Sequence, residues 1–429
     1  MFYDRLTALG IDATVADFVS KAENDPVVRQ AFGHADDIAS HNQLKVLYAM
    51  QTNRLSDAHF TDSTGYGYHD IGREVLEDIY AEIFRAEAAL VRPQLISGTH
   101  ALATALFGNL RPGDVLYSPV GAPYDTLESV IGIRPAIGSL AEYGVGYRQT
   151  ELTDAGGFDY PRIRKVLNDE PRIKMVTIQR SKGYAWRPSF TVAQIEGLIS
   201  EIRGIRPDVC VLVDNCYGEF TEEREPIEAG ADIIAGSLIK NPGGGIAPGG
   251  GYVAGKKEYV ERAATRLTAP GIGGEVGPTL GMTRALLQGL FIAPQTVGGC
   301  IRGAVLTAAV FARLGFAVNP TLGETRTDIV QAVRLGDAEK VLAFCRGIQL
   351  AAPVDSFVTP IAAPMPGYAD GVVMAGGTFI QGSSIELSAD APMREPYNVF
   401  YQGGLTSAHA RAGVVFALDA LKKEGLIKL

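Results

Sequence analysis

Val209-Cys-Val-Leu-Val-Asp-Asn-Cys-Tyr217, then Ala231-Asp-Ile-Ile-Ala-Gly-Ser237 and Leu238-Ile-Lys-Asn-Pro-Gly-Gly-Gly245, is the stretch on which the fold turns. The apolar centres of the first two runs are short and β-branched, the pattern of strands buried on both faces. The first run ends in a carboxylate, Asp214, and the second leads from Ser237 to Lys240 and a glycine-rich loop. A doubly wound sheet presents ligand-binding groups at the C-terminal edge of its strands. Alone, Asp214 reads as a turn cap and Lys240 as a solvated loop lysine. At neighbouring strand ends they read together as a functional pair.

Further strand-like runs lie at Val115–Val120, Ile173–Ile178 and Tyr252–Ala254. Helical periodicity falls at Gly72–Ala89, Thr99–Leu110, Tyr124–Ile131, Tyr160–Leu167 and Val192–Arg203. Strands alternating with helices predict an α/β fold with a mostly parallel, doubly wound sheet. Residues 1–60 read as an N-terminal helical arm and 61–290 as a large ligand-binding domain. A long apolar helical region, Met282–Leu314, then leads into mixed segments, so 291–429 reads as a smaller C-terminal α+β domain.

The composition narrows the function. With 429 residues, 46% hydrophobic and 20% charged, the chain can bury a large core. The formal net charge of −9 argues against nucleic acid or an anionic membrane as a main partner. The four cysteines, Cys210, Cys216, Cys300 and Cys345, form no CxxC pair and have no histidine at zinc-like spacing, so no metal is expected. Cys216, close after Asp214, reads as a buried neighbour of the site. Reduced thiols, Asp4 and Arg5 in place of an apolar leader, and no uninterrupted apolar run of spanning length point to the cytoplasm.

The chemistry follows from residue types. A lysine past a buried strand suits imine formation, and burial with nearby cations would lower its pKa. A carboxylate such as Asp214 would keep a ring nitrogen protonated, and the Ser237 hydroxyl would bond a phosphate. Ser97-Gly98-Thr99 opens an apolar helix whose N-terminus suits a dianion, or is simply N-capped. Tyr124 begins the next helix and is placed to stack on a ring. A substrate carboxylate calls for a bidentate arginine. Arg394, in a Pro-bounded loop, is the first candidate and Arg180, past a strand, the second. The run Gly243–Gly251 lacks GxxxxGK[ST] and leads into a strand, so it reads as backbone passing close to a cofactor.

Asp214-Asn215 and Gly230-Ala-Asp-Ile-Ile-Ala-Gly-Ser-Leu-Ile-Lys240 resemble the Cys/Met-metabolism group of fold-type I pyridoxal phosphate (PLP) enzymes. Ser97-Gly-Thr-His-Ala, Gln179-Arg-Ser-Lys-Gly-Tyr184, Gly382-Ser-Ser-Ile-Glu-Leu-Ser388 and Arg394-Glu-Pro-Tyr397 are similar to its methionine γ-lyase-like, or aluminium resistance, branch. The resemblance implies pyridoxal 5′-phosphate as cofactor. Lys240 would be the Schiff-base lysine, Asp214 the partner of the pyridine nitrogen and Tyr124 the stacking ring. Ser97, Gly98, Thr99 and Ser237 would hold the phosphate. It implies β- or γ-elimination, or replacement, on an amino acid, by default a sulfur amino acid such as methionine, cystathionine or cysteine. It also implies a homodimer or homotetramer with shared sites, in which Tyr66 or Tyr68 reaches a neighbouring subunit's phosphate. An unusual γ-substituted substrate, transamination, retro-aldol cleavage and PLP binding with little catalysis remain alternatives.

Overall fold

The computed structural model describes residues 2–365, 367, 368 and 370–429. The chain begins with three helices, α1 (Phe2–Ala8), α2 (Ala13–Glu23) and α3 (Pro26–Thr52), followed by α4 (Ile71–Phe84). An alternating region comes next: β1 (Ala88–Arg92), α5 (Gly98–Asn109), β2 (Val115–Ser118), α6 (Asp125–Ile131), β3 (Gly146–Gln149), α7 (Tyr160–Asp169), β4 (Ile173–Gln179), α8 (Val192–Ile205), β5 (Cys210–Asp214), β6 (Ile233–Ser237), β7 (Gly251–Gly255) and α9 (Lys257–Leu267). Helix α10 (Thr283–Arg313) leads to β8 (Ala317–Asn319), β9 (Gln331–Arg334), α11 (Ala338–Ala351), β10 (Val372–Ala375), β11 (Ser388–Pro392), β12 (Asn398–Gln402) and α12 (Ser407–Lys423).

The large sheet has the order β1-β7-β6-β5-β4-β2-β3, and only β7 runs antiparallel to its neighbours. Side chains alternate between its faces. Val211, Val213, Ile178 and Ile234 join one apolar core, with α4, α8 and α10. Cys210, Leu212, Met175 and Ile233 join a second, with α5 and α9. Both faces are therefore covered, as a parallel sheet requires. Because β4, β5 and β6 are parallel and in register, Gln179, Asp214 and Ala235 line up across one sheet edge.

The smaller sheet is antiparallel, in the order β10-β11-β12-β9-β8. One face, with Ala389, Ala391, Val399 and Tyr401, packs into the main core with α11 and α12. The other carries Phe400 and Ala332 against Tyr184, Trp186 and Tyr217 of the large-sheet loops.

Several sequence expectations need correction. Helix α4 stops at Phe84, short of Ala89, because Arg85 caps it in a left-handed conformation with φ of 55°. The edge strands β1 and β3 and the amphipathic helix α9 are elements that the sequence reading did not single out. The N-terminal helices are tied to α12: the Asp12 carboxylate holds Lys422 at 2.6 Å, and Arg411 reaches Glu23 at 2.8 Å. Helix α10 is long and apolar enough to cross a membrane by composition, yet 83% of its apolar window is buried within the protein, as in a core helix. The glycine-rich run packs backbone on backbone instead of lining the cofactor cleft. A Cβ on Gly244 would lie 2.4 Å from the Gly289 carbonyl of α10, and one on Gly243 would collide with the Leu238 carbonyl. That close seat fixes the loop carrying Lys240 against the long core helix.

Candidate active site

The aligned strand ends of β4, β5 and β6 face the N-terminus of α5 across a cleft. Gly98, Thr99, Tyr124, Asp214, Cys216 and Lys240 line it. Ser237, at the end of β6, is buried behind Gly98, where a Cβ would stand 3.2 Å from the Ser237 Cβ and from the Cys216 Sγ. Glycine is thus what lets the helix N-terminus come down onto the strand ends. The first-turn amides of a helix have no intrahelical acceptor and suit an anion. Ser97 itself is the N-cap, its Oγ accepting from the His100 amide at 3.0 Å, so capping occupies that hydroxyl. The Thr99 hydroxyl meets that of Thr126 at 2.9 Å.

Asp214 is buried and accepts from the Cys216 amide at 3.1 Å. Burial pushes its carboxyl above the usual range, against the pull of Lys240, Cys216 and Arg187. A cationic ring nitrogen beside Asp214 would offset that burial. The Lys240 Nζ makes no hydrogen bond to a described residue and lies 4.1 Å from the Tyr217 ring centroid. Burial works against its ammonium, but Cys216, Tyr217, Asp214 and Glu219 around it outweigh burial and hold it above the ordinary lysine range. This corrects the expectation of a lowered pKa: the groups acting on Lys240 are acidic, not cationic. Glu219 was not anticipated. It is fully buried, takes a hydrogen bond from the Tyr252 hydroxyl at 2.8 Å, and is pushed up by burial to about 8. An aldehyde cofactor with a phosphate and a basic ring nitrogen fits this set: an amine, a carboxyl at the opposite end, and a helix N-terminus that only glycine lets close.

Tyr124 precedes the first residue of α6, and its hydroxyl lies 2.6 Å from that of Tyr368. Its ring approaches Gly183, where a Cβ would be 2.9 Å away. Tyr184, Tyr217 and Tyr368 were missed by the sequence reading. They sit in loops with no periodic signal and only gather around Tyr124 in the fold. Tyr66 and Tyr68 lie outside the cleft. They are 70% and 62% exposed, stacked at 5.4 Å, although Arg73 clamps the Gly67 carbonyl between them at 2.6 Å.

The two arginines part company. Arg394 is half exposed, pairs with Asp370 at 2.9 Å and acts on Asp125 beside Tyr124, but it is not among the residues that line the cleft. Arg180 is fully buried and turned away from the cleft. It donates to Asn215 at 2.8 Å and Glu222 at 2.8 Å and faces Glu225 at 3.6 Å. It is committed to holding the turn after β5, so the cleft does not receive its guanidinium.

A model of the methionine gamma-lyase family matches residues 15–422. The chain belongs to that family. The Bacillus subtilis protein YnbB is 50% identical over 394 residues, 91% of this chain and 93% of its own. A solved structure of a carbon–sulfur lyase involved in aluminium resistance from Clostridium novyi is 48% identical with a TM-score of 0.92, covering 97% of this chain and 98% of that one. A Clostridium acetobutylicum protein, provisionally named a cystathionine beta-lyase involved in aluminium resistance, is 51% identical with a TM-score of 0.93 and 97% coverage of both chains. The family protein described here is a PLP-dependent lyase of the sulfur amino-acid type.

The buried arginine gives a direct test. Arg180→Ala leaves Glu225 buried without its cation and should lower unfolding free energy by roughly 3–5 kcal/mol. Denaturant titration measures this. Unchanged stability with a raised KM would instead make Arg180 a substrate ligand.

Proposed function

We propose that the protein cleaves the carbon–sulfur bond of a thioether amino acid by elimination, releasing a thiol, ammonia and an oxo acid. The observation that carries this reading is the buried Asp214 facing Lys240 across the floor of a cleft closed by the α5 N-terminus. PLP bound there supplies an electron sink for charge developing at the substrate Cα. Asp214 Oδ holds the proton of the ring nitrogen. Lys240 Nζ, once free, would take the Cα proton and return one, acting from its own side of the substrate. Tyr124 covers the ring, and Gly98, Thr99 and Ser237 hold the phosphate. Arg394, whose charge acts on Asp125 at the start of α6, is the candidate for the substrate carboxylate, on release from Asp370.

Cleavage at Cβ is favoured by the naming of the Clostridium acetobutylicum relative, while the family description favours Cγ. S-methyl-L-cysteine and L-methionine separate the two, since one yields pyruvate and the other oxobutanoate. Pyruvate and methanethiol from S-methyl-L-cysteine, with no oxo acid acceptor added, is the expected result. Strict dependence on an acceptor, with the amine left on the cofactor, would make the enzyme an aminotransferase.

The exposed Tyr66–Tyr68 pair supports an oligomer with shared sites. Two rings held rigidly in solvent suit a place in a second subunit's phosphate cradle. Mixing subunits of Lys240→Ala with subunits lacking both tyrosines should rebuild intact sites and recover activity. No recovery after verified subunit exchange would leave these tyrosines outside any site.

A further inference from the structure

The small-sheet face that packs on Tyr217, a residue of the cleft lining, carries a carboxylate that the elimination chemistry does not use. Asp390 lies at the centre of β11, paired in register with Phe400 of β12 and Met374 of β10. Its strand neighbours Ala389 and Ala391 point into the main core, so Asp390 points the other way. That is the face on which Phe400 meets Tyr184 and Tyr217. Gln402, on the same face, donates to Asp390 Oδ2 at 2.8 Å. No cation pairs with Asp390 among the described residues, and Lys240 is the only basic group that acts on it.

The surroundings are aromatic and rich in acceptors. Tyr184 lies with its ring centroid 5.5 Å from Tyr124, 5.8 Å from Tyr368 and 5.3 Å from Phe400. The Tyr184 hydroxyl is buried and turned toward the Asp390 carboxylate, which it helps to keep ionised. Asp390 shares its sheet face with Phe400, which packs on Tyr184 and Tyr217, and its charge acts on Tyr124, Tyr184, Tyr217 and Tyr368 alike. Burial raises its carboxyl to about 6, so it is ionised at neutral pH. A carboxylate framed by aromatic faces is the chemistry that receives an ammonium group. It repels a carboxylate, and it gives a purely apolar group nothing to offset its own burial.

We propose that Asp390 reads the sulfur-borne portion of the substrate and selects thioethers that carry a cationic, ammonium-bearing group there. This rests on the carbon–sulfur lyase reading and adds its substrate class. Lys240 and Tyr124 then act at the Cα end, while Asp390, Gln402 and Tyr184 hold the far end.

The test uses the holoenzyme with S-aminoethyl-L-cysteine, its neutral near-isostere S-propyl-L-cysteine and the anionic S-carboxymethyl-L-cysteine. The readouts are kcat/KM for thiol release and calorimetric Kd on the cofactor-loaded Lys240→Ala variant, which binds without turnover. The wild type should prefer the aminoethyl over the propyl compound by about tenfold or more, the size of one charge-assisted hydrogen bond. The carboxymethyl compound should be the poorest. The preference should fade as the pH drops below about 6. In Asp390→Asn the ratio of aminoethyl to propyl should fall to near unity. A wild type indifferent to charge, or favouring the propyl or carboxymethyl compound, overturns the proposal even if the variant does not fold. So does an Asp390→Asn enzyme that keeps the preference. Failure of all three compounds to release thiol would instead overturn the lyase reading, and the calorimetric series would still decide the charge preference.

Discussion

The structure depends on a carboxyl and an amine held in the interior without touching. Asp214 and Lys240 sit at the ends of adjacent parallel strands, each favouring the other's charged form while burial opposes both charges. An isolated carboxylate in such a place would neutralise itself. The fold tolerates it because a lysine shares the cleft and a protonated ring nitrogen can lie against it. The rest of the architecture serves that placement. Parallel register brings the strand ends to one edge, and two apolar layers bury the sheet on both faces. Helix α10 seats the loop that carries Lys240.

The second constraint is closeness of backbone. Gly98 brings the α5 N-terminus onto Ser237 and Cys216, and Gly244 presses the Lys240 loop onto Gly289. Neither approach survives a Cβ without movement. The cleft is therefore shaped by what is missing from side chains as much as by what is present.

Much of this was legible in the sequence because it is local. The runs ending at Asp214 and Ser237 are continuous and β-branched, and the helix after Ser97 has its cap and apolar face in adjacent positions. Their ends carry Asp214, Lys240 and Gly98 with them. What was not legible comes together only through tertiary packing. Tyr184, Tyr217 and Tyr368 come from three separate loops, and Asp390 is an ordinary strand aspartate until β11 turns that face toward the cleft. Arg180 misled for the same reason. Its position after a strand suits a ligand, but Glu222 and Glu225, from the turn after β5, claim its guanidinium. Cys216 stands beside the site as its position after Asp214 suggests, but the lysine's environment was misjudged, since Glu219 reaches it from a segment that the sequence shows only as a turn.

The account stands on Lys240 being the residue that carries the cofactor. Borohydride reduction of the protein loaded with PLP, followed by peptide mapping by mass spectrometry, measures this directly. The account predicts one cofactor-derived mass increment, on the peptide containing Lys240. An increment on Lys182, the other buried lysine near the cleft, or no fixed increment with the absorbance lost on dialysis, would contradict it.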